Sequence, residues 1–261
     1  MRSFSGFNLA SLVLGFGFLY IPIVILVVYS FNDSRLVTVW GGFSTRWYAE
    51  LLRNDLLLDA AWMSLKVGAA SATAATVLGT CFAVVLTRAN RFPGFVLFSA
   101  LVFIPIVMPE VVTGISLLLL FVTLDIDRGF LTITLAHITF TSVFVAVTVQ
   151  ARLKSFDRNL EEAARDLGCR PFPAFMLVTL PIIAPAIVSG WLLAFVLSLD
   201  DLVIATFTTG PGATTFPIRI FSAMRMGVKP DINAACTLLI GAVATAVVIA
   251  YIVSSVRGRR A

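Results

Sequence analysis

Six apolar stretches, each long enough to cross a lipid bilayer, divide this sequence. They lie at about 9–30, 60–86, 95–123, 130–150, 182–207 and 232–256. A membrane-spanning helix needs about 20 predominantly apolar residues. Charged residues make up 13% of the chain, whereas soluble domains carry about 25%. The sequence therefore predicts an all-α integral membrane protein, with six transmembrane helices forming a single domain over residues 1–261.

Small residues predict where helices approach one another. The second apolar stretch is rich in Gly, Ala, Ser and Thr from Gly68 to Gly79, and such residues allow close helix packing in lipid. Trp40, Trp47 and Tyr48 lie in the polar stretch before it. Amphipathic rings of this kind are typical of the membrane–water interface, which is where we expect them.

The distribution of positive charge predicts the topology. Eleven of the 19 lysines and arginines fall on the side that holds both termini and the loop 151–180, against four acids. The opposite side has eight positive residues against seven acids. The richer side is expected to face the cytoplasm. The first apolar stretch has no small-residue cleavage site, so we expect it to be retained as a helix.

Several function classes lack their characteristic motifs. The three cysteines, Cys81, Cys169 and Cys236, are scattered and show no spacing typical of a disulfide framework or metal site. No basic run with interleaved aromatics indicates nucleic-acid binding. No lysine follows a glycine, as a Walker A phosphate loop requires. We therefore expect no catalytic residues, bound metal or cofactor, and any ATP chemistry would belong to a partner.

A short polar helix is predicted in the loop 151–180. Leu160, Ala163, Ala164 and Leu167 recur at helical spacing, and Gly168 is suited to closing the helix. Such an apolar face fits a shallow groove on a partner protein. The alternative is a helix that rests on lipid headgroups. Anionic headgroups favour lysine and arginine, which disfavours a helix that begins with two glutamates.

The same segment resembles a known family. Glu162-Ala163-Ala164, Gly168, Val178 and Leu180-Pro181 have the spacing of the EAA loop in permease subunits of binding-protein-dependent ABC importers, with Val178 in place of the usual isoleucine. In that family the loop inserts a coupling helix into a cytoplasmic ATPase subunit. The resemblance implies ATPase docking by one set of residues, Glu161, Glu162, Ala163, Ala164, Leu167 and Gly168.

The resemblance extends over nearly the whole chain to the polyamine subgroup, and most of all to the second permease subunit of bacterial putrescine importers. It is carried by several motifs, Phe31-Asn32, Thr45–Tyr48, Met108–Gly114, Leu197–Asp201 and Thr209–Gly212. It implies a type I importer (MetI-like) fold in the bacterial inner membrane. The implied partners are a second permease subunit, two ATPase subunits that bind ATP and magnesium, and a periplasmic polyamine-binding protein, besides membrane lipid.

Acidic residues within the apolar stretches are the candidates for a substrate path. They are Glu110, Asp200 and Asp201. An ionised carboxylate in the membrane costs about 3 kcal/mol and normally faces a cavity or a partner. Adjacent residues on a helix point about 100° apart, so at most one aspartate is expected to face the path. The alternative for these acids is helix-end or interhelix bonding.

Aromatic side chains offer a second feature for binding a cation. Trp191 and Phe195 precede the two aspartates along one helix face, and their rings could contact a polyamine by cation–π interaction. Packing is the alternative for both. The one histidine, His137, lies in an apolar stretch. We expect it to be a core residue bonded to a neighbouring helix, rather than part of a proton relay.

Arg219, Arg225 and Lys229 give the loop at about 208–231 a positive bias. This loop is a candidate contact for the binding protein, although a solvated surface explains the charges as well. Two other functions stay open: an ABC permease for another small solute, and an ion-coupled secondary transporter that uses Glu110 and Asp200 as proton sites. The second commonly shows inverted repeats, which the sequence lacks.

Overall fold

The computed structural model describes residues 6–36, 39–89, 92–225 and 230–258. Regular structure within these residues is helical, apart from an isolated bridge between Asn32 and Phe43. The all-α prediction is confirmed. The chain divides into two compact units, one of Met1–Leu58 with Ile220–Ala261 and one of Asp59–Arg219. Nothing in this division tests the prediction of a single domain.

The first unit holds α1, α2 and α12, at Gly6–Tyr29, Arg46–Leu51 and Pro230–Gly258. The second unit contains α4 to α10. They lie at Phe95–Val107, Glu110–Thr123, Phe130–Lys154, Asn159–Asp166, Pro171–Ala174, Leu180–Asp200 and Val203–Thr208. Two helices cross the boundaries between the units, α3 at Asp55–Arg88 and α11 at Phe216–Arg225.

Four helical segments are long and apolar enough to cross a membrane, at Gly6–Tyr29, Asp55–Arg88, Phe130–Lys154 and Pro171–Asp200. The pair α4 and α5 makes a fifth if it counts as one span. The sixth predicted stretch falls in α12, whose apolar part is described over Pro230–Thr245 and is shorter than a span. Among the described residues the structure thus supports four or five spans, and six stays a prediction.

Prolines lie at the positions where helical segments of this chain begin or bend. The axes of α4 and α5 differ by 113°, with Met108 extended and Pro109 preceding α5. A proline removes a backbone donor and disfavours helical geometry in the residue before it. The fifth span is predicted to start at about 182, and the helical segment that contains this position starts earlier. Helix begins at Pro171, because proline is well suited to the first helical position.

The helix that starts at Pro171 contains a π turn, Phe175–Thr179, between α8 and α9. It then ends at Asp200, and α10 begins at Val203. A π turn inserts an extra residue and is often found at functional sites. The predicted stretch 182–207 is therefore two helices separated by a break.

Small residues hold α3 against its neighbours, as predicted. Ser71, Ala72 and Ala75 are buried. A Cβ added to Gly79 would lie 2.5 Å from the Ser142 carbonyl oxygen of α6. Such an approach is possible only without a side chain, so Gly79 fixes how closely α3 and α6 pack.

A buried polar network connects α6 to the break after α9. His137 Nδ1 lies 2.6 Å from Ser198 Oγ, and its Nε2 lies 3.2 Å from Asp201 Oδ2, at an angle that does not make an aligned hydrogen bond. Ser71 Oγ of α3 donates to Ser198 Oγ at 3.1 Å. The prediction that His137 is a core residue bonded to a neighbouring helix is confirmed.

In the first unit, a side chain organises the loop after α1. Asn32 donates from Nδ2 to the Val39 carbonyl and accepts from the Gly41 N–H, both at 2.7 Å. The Trp47 indole N–H donates to the Asn32 carbonyl at 2.6 Å. Trp47 is buried, unlike Trp40, which is half exposed. The N–H of Trp47 thus completes this loop, and the interface position expected for these rings stays a prediction.

We expect Gly79→Ala to lower the midpoint of thermal unfolding of the purified protein. The added methyl would overlap the backbone of α6, and overpacking costs about 1–3 kcal/mol. Gly15→Ala is the matched control, since nothing lies within 4 Å of the Cβ it would add to α1. Equal midpoints for the two variants would contradict a close contact at Gly79.

We expect His137→Leu to lower the same midpoint by several degrees. Leucine removes both ring nitrogens and leaves the buried Ser198 and Asp201 with fewer partners, a loss of about 1–3 kcal/mol. Thr139→Val provides the control, because Thr139 is exposed and donates only to its own helix. A variant as stable as the control would show that the network adds nothing to stability.

Candidate functional site

A cavity of about 270 Å³ lies at the break between α4 and α5. Glu110, the first residue of α5, is exposed and lines it. A carboxylate is favoured at this end of a helix, where backbone N–H groups are unpaired. Broken helices at membrane depth occur where they line a cavity. The site thus combines a negative charge with an otherwise mainly apolar wall.

Two aromatic residues of this wall were missed by the sequence reasoning. Phe140 and Phe144 of α6 line the cavity together with Glu110. Their spacing of four residues puts them on one helix face. This spacing was the only feature of the sequence that could have indicated their role. Spacing alone does not say which face of α6 turns toward a cavity.

The two adjacent aspartates have different environments. Asp200 is exposed at the end of α9, within electrostatic range of Glu110. Asp201 is 9% exposed, and its carboxylate accepts the N–H groups of Ile204 and Ala205 at 3.3 and 2.7 Å. These bonds satisfy the start of α10. Asp201 therefore has the helix-end role that was the alternative to a substrate path.

Trp191 and Phe195 form a stacked pair on α9, with ring centroids 5.2 Å apart. The Trp191 indole N–H donates to Thr73 Oγ1 of α3 at 3.1 Å. Both rings pack against a buried cluster that includes Ala72 and Val145. Neither lines the Glu110 cavity. Their positions agree with the packing alternative.

The short polar helix is α7, at Asn159–Asp166. Asp157 Oδ1 accepts the Asn159 N–H at its start. Gly168 has a φ of +90° at its end, a conformation that L side chains rarely adopt, so the predicted glycine closure is confirmed. Leu167 is 90% exposed, and Leu160 is half exposed. Helix α7 thus presents apolar side chains that its own chain leaves uncovered.

The residues predicted for docking divide between two sides of α7. Glu162 and Ala163 are exposed, as are Leu167 and Gly168, whereas Ala164 is partly buried. Glu161 differs, because its carboxylate forms an ion pair of 2.7 Å with Arg88 at the end of α3. Glu161 is therefore bonded within its own chain, and its predicted role in docking stays a prediction.

The charge state of Glu161 follows from these contacts. Burial raises the pKa of its carboxyl. Hydrogen bonds from Thr179 and Arg88, with the positive charges of Arg88 and Arg165, outweigh this effect and hold the pKa below its ordinary value. The ion pair thus stabilises the fold at neutral pH, and this contribution is lost only as the pH falls through that lowered pKa.

The predicted binding-protein contacts lie on or near α11. Arg219 is partly buried and Arg225 is exposed, with its guanidinium 4.5 Å from the centre of the Phe221 ring. Lys229 lies outside the described residues. The role of these residues stays a prediction.

Solved structures resemble this fold. It matches a chain of a bacterial ABC transporter involved in the import of the acidic polysaccharide alginate, with a TM-score of 0.72 and 14% identity, over 97% of this chain and 98% of that one. An amino acid ABC transporter matches with a TM-score of 0.58 and 18% identity, over 78% of this chain and 96% of that chain. At such identities the likeness concerns the fold, and the prediction of an importer permease fold is confirmed.

Sequence comparison connects the chain to named relatives. It is 57% identical over 245 residues to the putrescine transport system permease protein PotI of Escherichia coli K12, over 92% of this chain and 87% of the relative. It is 46% identical over 225 residues to the spermidine/putrescine transport system permease protein PotC of the same strain, over 86% of this chain and 85% of that protein.

Residues 75–258 match the family described as the binding-protein-dependent transport system inner membrane component. This match covers more than half of the chain. It confirms the predictions of a transport subunit rather than an enzyme and of an inner-membrane protein. The chain belongs to the family of inner-membrane components of binding-protein-dependent transport systems.

Proposed function

We propose that this chain is a permease subunit of an ATP-driven importer that carries polyamines, putrescine first, across the bacterial inner membrane. The observation that carries the proposal is the similarity to the putrescine permease PotI over 92% of the chain. Similarity to the spermidine/putrescine permease PotC supports the same cargo class. Transport proceeds by alternating access, and the protein itself supplies no catalytic residue.

The path for the cation runs past Glu110 and Asp200. Both carboxylates are exposed and lie within electrostatic range of one another. A polyamine carries separated positive charges on methylene spacers, so neighbouring carboxylates lower its energy in the membrane. Phe140 and Phe144 offer ring surface at the Glu110 cavity. Three other candidates stabilise the helices near this path by hydrogen bonding and packing, namely Asp201, Trp191 and Phe195.

The exposed side of α7 is the docking site for an ATPase subunit. Glu162, Ala163, Leu167 and Gly168 are uncovered there, which suits insertion into a groove on a partner. In this arrangement α7 and both termini face the cytoplasm. The other partners are a homologous permease subunit, a second ATPase subunit and a periplasmic binding protein. ATP and magnesium bind to the ATPase subunits.

Two positive residues of α11 are candidates for contact with the binding protein. Arg219 and Arg225 lie on this helix, and Lys229 follows it in the sequence. Charges at the rim of an interface affect orientation and association rate more than affinity. Their role in this importer is to orient the loaded binding protein.

We expect Glu110→Gln and Asp200→Asn each to reduce putrescine uptake by the reconstituted importer about tenfold, since loss of about 1.4 kcal/mol of attraction changes the rate by that factor. Asp127→Asn is the control, an exposed acid elsewhere in the second unit. Uptake of labelled putrescine into proteoliposomes is the measurement. Normal uptake by both path variants would rule out the carboxylate path.

We expect Leu167→Asp to release the ATPase subunits from the purified complex. Placing a charge where an apolar residue enters a groove leaves that charge desolvated and unpaired. Leu52→Asp tests specificity, because Leu52 is also exposed but lies in the loop before α3. Copurification of ATPase subunits with each variant is measured. Undiminished copurification with Leu167→Asp would contradict docking through α7.

The identity of the cargo is tested by measuring the rate of ATP hydrolysis by the assembled importer. The measurement compares binding protein loaded with putrescine, with spermidine, or with neither. We expect loaded binding protein to stimulate hydrolysis and putrescine to give the larger effect. Equal hydrolysis in all three conditions would contradict a polyamine cargo while leaving the importer family unchanged.

A further inference from the structure

Arg88 lies where the end of α3 meets α7 and the π turn. Its Nη1 donates to Glu161 Oε1 at 3.1 Å, and its Nη2 lies 2.7 Å from Glu161 Oε2. Nη2 also donates to Thr179 Oγ1 at 3.1 Å, and Thr179 Oγ1 donates to Glu161 Oε2 at 2.6 Å. The three side chains thus form a closed ring of contacts, which we name the Arg88 clamp.

Each member of the Arg88 clamp belongs to a different helical segment. Arg88 is the last residue of α3, Glu161 lies in the first turn of α7, and Thr179 ends the π turn before α9. A second bond follows the same connection, from Arg158 Nη2 to the Thr87 carbonyl at 3.1 Å. Helix α7 is therefore joined to the ends of two predicted spans by side chains as well as by the chain itself.

The environment of the clamp favours a rigid connection. The side chains of Arg88 and Glu161 are only 21% and 17% exposed, so solvent screens their attraction less than on an open surface. A two-pronged arginine–carboxylate contact also fixes the angle between its partners. The Arg88 guanidinium lies 5.9 and 5.3 Å from the ring centres of Phe156 and Phe175, which adds cation–π attraction.

Other residues of α7 and of the turn that follows it are exposed. Glu162 is exposed next to the inward-facing Glu161, and Leu167 is almost fully exposed. The two adjacent glutamates line the same pocket together with Arg88, but only Glu161 is bonded to that arginine. A residue that served docking would be expected among these exposed residues.

We propose that the Arg88 clamp transmits movement of the ATPase subunits from α7 to α3 and α9, with Glu161 as a positioning residue rather than a docking residue. The inference rests on the proposed function in one respect, that α7 binds an ATPase subunit. When the ATPase moves α7, the two-pronged contact pulls the end of α3, and Thr179 moves the start of α9. Without the clamp, movement of α7 is not transmitted to α3 and α9.

The experiment measures putrescine uptake and ATP hydrolysis in the same proteoliposomes with Glu161→Gln. Glutamine keeps the shape of the side chain and removes its charge. Asp166→Asn is the matched control, an exposed acid on the same helix. We expect Glu161→Gln to retain its ATPase subunits and to hydrolyse ATP, while uptake per ATP hydrolysed falls by about fivefold or more, as for a typical coupling between sites.

A second variant tests the other arm of the clamp. Thr179→Val preserves side-chain shape and the Arg88–Glu161 ion pair but removes the hydroxyl. We expect a smaller fall in uptake per ATP than with Glu161→Gln. Exchange of the charges in the double variant Arg88→Glu with Glu161→Arg is expected to restore part of the ratio lost in either single variant.

The pH dependence provides a further readout. Because the Glu161 pKa lies below its ordinary value, the carboxyl stays ionised from about pH 6 to 8. The ratio of wild-type to Glu161→Gln uptake is therefore expected to be constant over that range. A ratio that approaches one toward pH 6 would contradict an ionised clamp.

Failure of the clamp is distinguishable from failure of the proposed function. Loss of ATPase subunits from Glu161→Gln would show that Glu161 is a docking residue, and an unchanged uptake per ATP would show that the clamp transmits nothing. Either result overturns the inference. Absence of putrescine uptake by the wild-type importer would instead contradict the proposed cargo.

Amide hydrogen exchange of residues 159–166 in the nucleotide-free complex tests the clamp without any cargo. Exchange is expected to be faster in Glu161→Gln than in Asp166→Asn, since only the first variant loosens α7 from the spanning helices. Equal exchange in the two variants would overturn the inference whatever the importer carries.

Discussion

The need to pair backbone polar groups inside a membrane shapes this structure more than any other constraint. Lipid offers no hydrogen bonds, so helices run unbroken except where another group replaces the missing partners. At the end of α9, the Asp201 carboxylate accepts the N–H groups that begin α10. At the α4–α5 break, Glu110 begins the new helix beside a cavity. Each of these two helix breaks is therefore also a position at which the chain holds a carboxylate.

Acids near these breaks have two distinct electrostatic roles. Asp201 is buried and faces His137 as well as backbone donors. A carboxylate satisfied in this way holds the structure but offers little attraction to a passing cation. Glu110 and Asp200 are exposed and lie within electrostatic range of one another. The proposed polyamine path rests on this difference, because a nearby cation stabilises exposed carboxylates.

Helix α7 depends on the rest of the chain for its shape. An isolated helix of eight residues is not stable in water, because too few hydrogen bonds offset the cost of starting it. Gly168 closes one end, and the Arg88 clamp fixes the side that faces α3 and α9. Leu167, which follows the helix, is left almost fully exposed. Internal bonding together with an exposed apolar side chain is the combination on which the proposed coupling role of α7 rests.

Sequence reasoning identified the helical membrane class, the small-residue face of α3, the core position of His137 and the glycine closure of α7. These features follow from local composition, or from the residue types that a bilayer and a helix end admit. It also indicated that the adjacent aspartates could not share one path. Only the tertiary structure decided in which direction individual side chains point. Asp201 rather than Asp200 turns inward, and Glu161 binds Arg88. Phe140 and Phe144 face the Glu110 cavity. Neighbouring residues on a helix point about 100° apart, and which direction is buried depends on the helices that pack around it.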